Sequence, residues 1–327
     1  MPSLAVLLLG RAVMGIVPPT EALHNLLIQR AVQSCCYTAR ECRDNPTAQW
    51  LGNFLGHKGL EGYHGIDGLR VSWKVYFQEL LAAPPEDLVV QSVLMRHRGL
   101  SPNNPFLKPT PMEYTHRIVP SSLAERVMGA ARLIAREWQH DLLLLEAENA
   151  EHWEVHWEMV REKEDRGRGS RQPVFSLDPD HAESPYRGGN YDLLKNLATR
   201  NAVREYTSEL ERSRSCGHTH LFLQRFCVAH PLEDDGDSHR ADDFLLALLQ
   251  TPFAIVGSSI ADNGDGVVSA AGYPQLIDPL ELAREVMERR LALANSWAAE
   301  LEDFPDRLLA IQRGHLLRAS GTVMDAE

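Results

Sequence analysis

The clearest pattern in the chain is a helical stripe that occurs twice. In residues 118–142, Leu123, Val127, Ile134, Trp138 and Leu142 recur at the spacing that puts apolar side chains on one face of an α-helix. A second stretch, 277–301, repeats the pattern at an offset of 159 without a gap. It pairs Ile118 with Ile277, Pro120 with Pro279, Leu123 with Leu282, Ala124 with Ala283, Val127 with Val286, Met128 with Met287, Ala135 with Ala294, Trp138 with Trp297 and Leu142 with Leu301. These are nine identities in twenty-five positions, where unrelated segments of this composition would share roughly two. Each proline suits the first turn of a helix, where no backbone donor is lost, and Asp278 with Glu281 has the spacing of a capping box. The two tryptophans read as core anchors.

Upstream, KVYFQEL ending at Leu80 resembles REYTSEL ending at Leu210, with Tyr76 facing Tyr206 and Glu79 facing Glu209. Leu88, Gln91 and His97 then match Leu221, Gln224 and His230, in the segments LVVQSVLMRH and LFLQRFCVAH, whose apolar and β-branched residues predict strands. The alternation of Tyr114, His116 and Ile118 with Thr115, Arg117 and Val119 predicts one more strand, leading into Pro120. The expectation is a helix-rich α+β protein. It contains an internal duplication, two diverged copies of a helix-strand-strand-helix unit, behind an N-terminal helical extension.

Boundaries follow from turn-forming residues. Residues 1–45 form the extension, 46–164 the first repeat module, 165–190 a polar linker with Pro173, Pro179 and Pro185, 191–318 the second module, and 319–327 a disordered tail. The second module is read as elaborated by an inserted helix, ADDFLLALLQ. The first ends in a helix of about forty residues and about 60 Å, because between Pro120 and Gly167 only Gly129 could interrupt it. Pro305 falls where the first module has Glu146, so the end of the long helix has no expected counterpart.

Charge narrows the partners. With 33 basic and 45 acidic residues the formal net charge is -12, which repels nucleic acid and anionic membrane, so neither is an expected partner. No apolar run reaches the length of about 18 residues that spans a bilayer. Five cysteines crowded into two places do not read as a disulfide framework, and the body is read as belonging to a soluble, reducing compartment, either cytoplasm or an organelle interior. The first forty residues hold Arg11, Arg30 and Arg40 against the single acid Glu21. They read as a helical hairpin turning at Pro18 and Pro19, or alternatively as an organellar transit segment.

Three groups carry candidate chemistry. CGHTH followed by CVAH gathers Cys216, His218, His220, Cys227 and His230, whose imidazoles and thiolates are ligand types for zinc or another transition metal. On a strand, His218, His220 and His230 would share one face and Cys227 the other, and the positions of the first module that match Cys216, His218, His220 and Cys227 are Ala83, Pro85, Asp87 and Leu94, so a metal site would have arisen after duplication. HWEVH places His152 and His156 one helical turn apart with Glu148 a turn earlier, but without the glutamate position of the zinc proteases. His57, His64 and Asp67 lie in a loop with four glycines that could line a cleft. DNGDG at 262–266 and EDDGD at 233–237 read as turns and solvated loops, and no phosphate-cradling or nucleophile-elbow motif is present.

The functional expectation is a non-catalytic protein-protein interaction or assembly factor, with no cofactor and with a protein partner docking on Trp153, Trp157 and Val160 of the long acidic helix. The alternative is a metal-binding protein or metal-dependent enzyme using His218, His220, Cys227 and His230.

Overall fold

The computed structural model describes residues 17–94, 110–164, 185–213, 217–232, 240–256 and 275–320. The chain is helix-rich with two small antiparallel strand pairs. It runs α1 (Pro19–Glu41), α2 (Asn45–Asn53), two short 3-10 turns, α3 (Trp73–Ala82), β1 (Glu86–Leu94), β2 (Thr110–Ile118) and α4 (Pro120–Glu164). There follow α5 (Arg187–Arg212), α6 (Gly217–Ala229), α7 (Arg240–Gln250), β3 (Ala254–Val256), β4 (Gln275–Ile277), α8 (Pro279–Glu302) and α9 (Phe304–Ala319). No described helix is long and apolar enough to cross a membrane. Residues 1–16, DNGDG, EDDGD, Cys216 and His97 lie outside the described residues.

The chain divides into two compact units that interleave in sequence. The first comprises Met1–Leu27, Tyr63–Gly68 and Leu133–Phe304; the second comprises Ile28–Gly62, Leu69–Arg132 and Pro305–Glu327. These units follow packing rather than the boundaries drawn from turn residues, because α4 contributes its first turns to one and its later turns to the other.

In the second unit, Trp73, Tyr76, Phe77 and Leu80 of α3 and Leu123, Val127 and Met128 of α4 are buried. Ser72 caps α3 by accepting from Val75 N. β1 and β2 form an antiparallel pair in which Glu86 faces Ile118. In the first unit, α5 packs chiefly against α8, with α6 and α7 beside it. The core there includes Val203, Phe226, Phe244, Leu248, Val286 and Met287. Asp278 caps α8 by accepting from Leu280 N at 2.9 Å, with Pro279 at the first helical position, as the proline rule anticipates.

One secondary-structure expectation changes. LFLQRFCVAH is not a strand: Gly217–Ala229 is helical, and buried Leu223 and Phe226 face the core at i and i+3. Its apolar composition is as compatible with a buried helix as with a strand. ADDFLLALLQ is helical, as expected, and forms α7 directly before β3, β4 and α8, as α3 stands before β1, β2 and α4. The break at Pro305 is also shorter than expected. The chain leaves the helix only at Asp303 and resumes as α9, because proline is tolerated in the first turn of a new helix.

Candidate functional site: a groove beside a buried ion network

The later turns of α4 carry the site. His152 and Glu148 are turned inward and are fully buried, and the residues that meet them come from α5, α7 and α8. Lys195 of α5 lies 2.8 Å from one oxygen of Asp242 on α7 and 3.3 Å from Glu148, and His152 Nε2 lies 3.2 Å from the other Asp242 oxygen. Arg290 of α8 lies 3.6 Å from Glu148 and donates to Asn149 Oδ1 at 2.7 and 3.1 Å and to Thr199 Oγ1 at 3.4 Å. Lys195 also sits 4.9 Å from the centre of the Tyr191 ring, a cation-π contact. Two carboxylates and two cations are thus held together at 0% to 4% exposure.

Such burial costs free energy for every ion, and mutual pairing offsets it only when the geometry is good. Burial opposes the charged form of Asp242, but bonds from His152 and Lys195 outweigh it and hold this carboxyl well below its usual range. At Glu148 burial wins, raising the carboxyl despite Arg290 and Lys195. Burial acts against the Lys195 ammonium, but Asp242 and Glu148 together raise it. Burial and the neighbouring Glu148 push the Tyr191 phenol well up. His152, with Nδ1 donating to the Glu148 carbonyl at 2.7 Å, presents Nε2 to Asp242. The network ties α4 to three other helices.

One turn further along α4, the helix surface opens into a groove of about 240 Å³. Trp157, Met159 and Val160 of α4 line one side, and Leu249, Phe253 and Leu280 the other, with His156 at the base between the rings of Trp153 and Trp157. Trp157 is 49% exposed and Phe253 61%; beyond Phe253, Ile255 and Leu276 face each other across β3 and β4 at 74% and 64%. Glu154 and Glu158 beside Trp157 are exposed, as is Arg161. The groove shares its helices with the network: His152 and His156 are one turn apart on α4, and Asp242 and Leu249 are both on α7. The groove and the network are thus built on the same two helices.

The expected site residues fare differently. Trp157 and Val160 line the groove, whereas Trp153 packs against the core beside Phe226 and Met287. His218 and His220 are two residues apart on a helix and so point about 200° apart, and Cys227 is about 10 Å further along at the helical rise. The structure does not bring His218, His220 and Cys227 together, and burial raises the Cys227 thiol to about 11. Among the described residues no group of three or more histidines, cysteines or acids is placed to hold a metal ion.

His57 is buried, donates from Nδ1 to the Phe54 carbonyl and accepts at Nε2 from Arg70 N at 3.0 Å. Both ring nitrogens are engaged in holding the loop. His64 is exposed, and Asp67 is bonded to Arg200 at 2.9 Å in the first unit. Sequence reasoning missed Lys195, Asp242 and Arg290 as site residues. Charged residues within apolar helical faces were the available signal, and only the fold shows that they converge. No protein family, curated protein or solved structure matches the chain.

Proposed function

We propose that this protein is a non-catalytic interaction or assembly factor built from two copies of one module, and that it docks a partner protein in the groove beside Trp157. The observation that carries the reading is the groove itself. It is open and mostly apolar, flanked by half-exposed Trp157 and Phe253, with exposed Glu154, Glu158 and Arg161 at its rim. Exposed aromatic side chains on rigid helices are the usual anchors of protein interfaces, and Met159 adapts to varied apolar shapes. The occupant is a protein segment led by bulky apolar side chains.

The two-copy part of the proposal rests on burial. All nine identical pairs are buried in both copies, from Ile118 with Ile277 to Leu142 with Leu301. The helices that precede the strands agree as well. Tyr76, Leu80, Leu81 and Pro84 of the first half correspond to Phe244, Leu248, Leu249 and Pro252 at an offset of 168. Leu23, Asn25, Leu26, Ala31 and Val32 of α1 correspond to Leu194, Asn196, Leu197, Ala202 and Val203 of α5 at an offset of 171.

A photo-crosslinking residue at position 157 of the full chain tests the docking reading in native cells, with one at exposed Leu316 as control. The expected result is one dominant adduct at 157 that the control lacks. The same adducts at both positions, or none at 157, would remove the groove as the docking site.

A further inference from the structure

The ion network joins residues of both halves of the chain, and the positions that correspond to it in the two-copy reading carry other side chains. At the offsets given above, Glu148, Asn149 and His152 of α4 correspond to Arg307, Leu308 and Ile311 of α9. Lys195 and Thr199 correspond to His24 and Ile28, Asp242 to exposed Lys74, and Arg290 to Ala131. The corresponding place thus lacks these four ions, with Ile28, Ala131 and Leu308 buried there and His24 3.9 Å from Glu300. The framework itself therefore does not require this set of ions, and buried ion pairs are commonly no more stabilising than well-packed apolar residues. The best-attested use of such groups is to select one pairing over another.

The composition of the units shows which pairing is at stake. The first unit holds α5 to α8, but the helix segment that fills its network comes from α4, residues 133–164; α9 belongs to the second unit. Within the first unit α4 runs antiparallel to α8, since Gln139 Nε2 donates to Ala298 O at 3.4 Å and Asn149 Nδ2 to Met287 O at 3.1 Å. In the second unit Gln312 of α9 donates to Glu125 of α4 at 3.5 Å, so α9 lies beside the first turns of α4, at positions that correspond to the later turns of α4 beside α8. The segments 148–160 and 307–319 are therefore rival occupants of equivalent sites.

We infer that Lys195, Asp242 and Arg290 form a recognition surface within the protein that accepts the segment of α4 bearing Glu148, Asn149 and His152 and rejects the equivalent segment α9. Glu148 meets both cations, Asn149 caps the guanidinium of Arg290, and His152 meets Asp242. With α9 in that place, Arg307 would face Lys195 and Arg290 in a water-free site, and Ile311 would leave Asp242 without its imidazole. Repulsion of the wrong segment is as much a source of specificity as attraction of the right one. The inference rests on the two-copy reading.

The test uses the full chain carrying a specific protease site within residues 165–184, cleaved after folding and followed by native mass spectrometry and dilution. The two halves of the wild type stay together as a 1:1 pair of unlike fragments. Glu148→Arg weakens their association at least about 100-fold, the scale of leaving a buried charge uncompensated. Adding Arg290→Glu brings back about tenfold of the loss, the part that belongs to this pair, as a pairing term does and a packing defect does not; Lys195, still facing the arginine at 148, keeps the rest from returning. Glu148→Leu with Arg290→Met keeps the halves together but admits pairs of like C-terminal fragments.

Wild-type halves that separate on cleavage, a Glu148→Arg chain that associates unchanged, or failure of Arg290→Glu to bring back that part of the loss would each overturn the recognition surface. Association without like pairs in Glu148→Leu with Arg290→Met would overturn the rejection of α9 and leave the two-copy reading, which rests on the buried identities, standing.

Discussion

Glu148→Gln isolates the charge at the centre of the network while keeping its shape. Lys195 at 3.3 Å and Arg290 at 3.6 Å would both lose an anion. Neither is left bare, because Lys195 keeps Asp242 at 2.8 Å and Arg290 keeps Asn149 at 2.7 Å. Removing one partner of a buried ion pair costs about 3–5 kcal/mol, and the surviving partners place this substitution near the lower end, at about 3 kcal/mol. Spread over the unfolding entropy of 327 residues, at about 2.1 cal/mol/K each, that is a fall of about 4 °C in Tm if the chain unfolds in one transition. Urea unfolding followed by tryptophan fluorescence checks it, with the midpoint falling at constant slope. A loss below about 1 kcal/mol would refute the reasoning, because it would mean that Glu148 carries no charge that its neighbours need.

Asp242→Asn should flatten the acid limb of stability. The folded-state pKa of Asp242 lies below the unfolded value of about 3.9, so its contribution is full above that value and is lost as the pH falls through the folded one. Glu148, whose pKa is raised, acts with the opposite sign and offsets part of the loss. Unfolding free energies measured from about pH 5 to pH 2 should therefore fall more steeply in the wild type than in Asp242→Asn; parallel curves would remove Asp242 as the cause. Trp138→Ala and Trp297→Ala, both fully buried, should each cost about 3–5 kcal/mol in denaturant unfolding. A cost under about 1 kcal/mol at either would show that it is no core anchor.

The parts of the fold readable in the sequence were those where burial and helical period agree. Pro120, Pro279 and Asp278 marked helix starts, and the stripe from Leu123 to Leu142 marked a buried face, because each depends on a few neighbouring residues. Gly217–Ala229 was misread because a short apolar run fits a buried helix and a buried strand alike. The network was not readable. Lys195, Asp242 and Arg290 are separated by 47 and 48 positions, and each alone resembles an ordinary charged residue on an amphipathic helix. Trp157 was visible as a candidate, but its partners across the groove, Leu249 and Phe253, come from a helix end and a strand approach whose placement depends on packing.

The central claim is that the groove beside Trp157 docks a protein. Its most direct test is quantitative affinity purification at native abundance, comparing the wild type with a Trp157→Ala and Phe253→Ser chain. Both residues are about half exposed or more, so the double variant should keep its stability to within about 1 kcal/mol. The account predicts that one stoichiometric partner present with the wild type is lost from the variant, whose circular dichroism and unfolding midpoint are unchanged. An identical set of stoichiometric partners on both chains would contradict it.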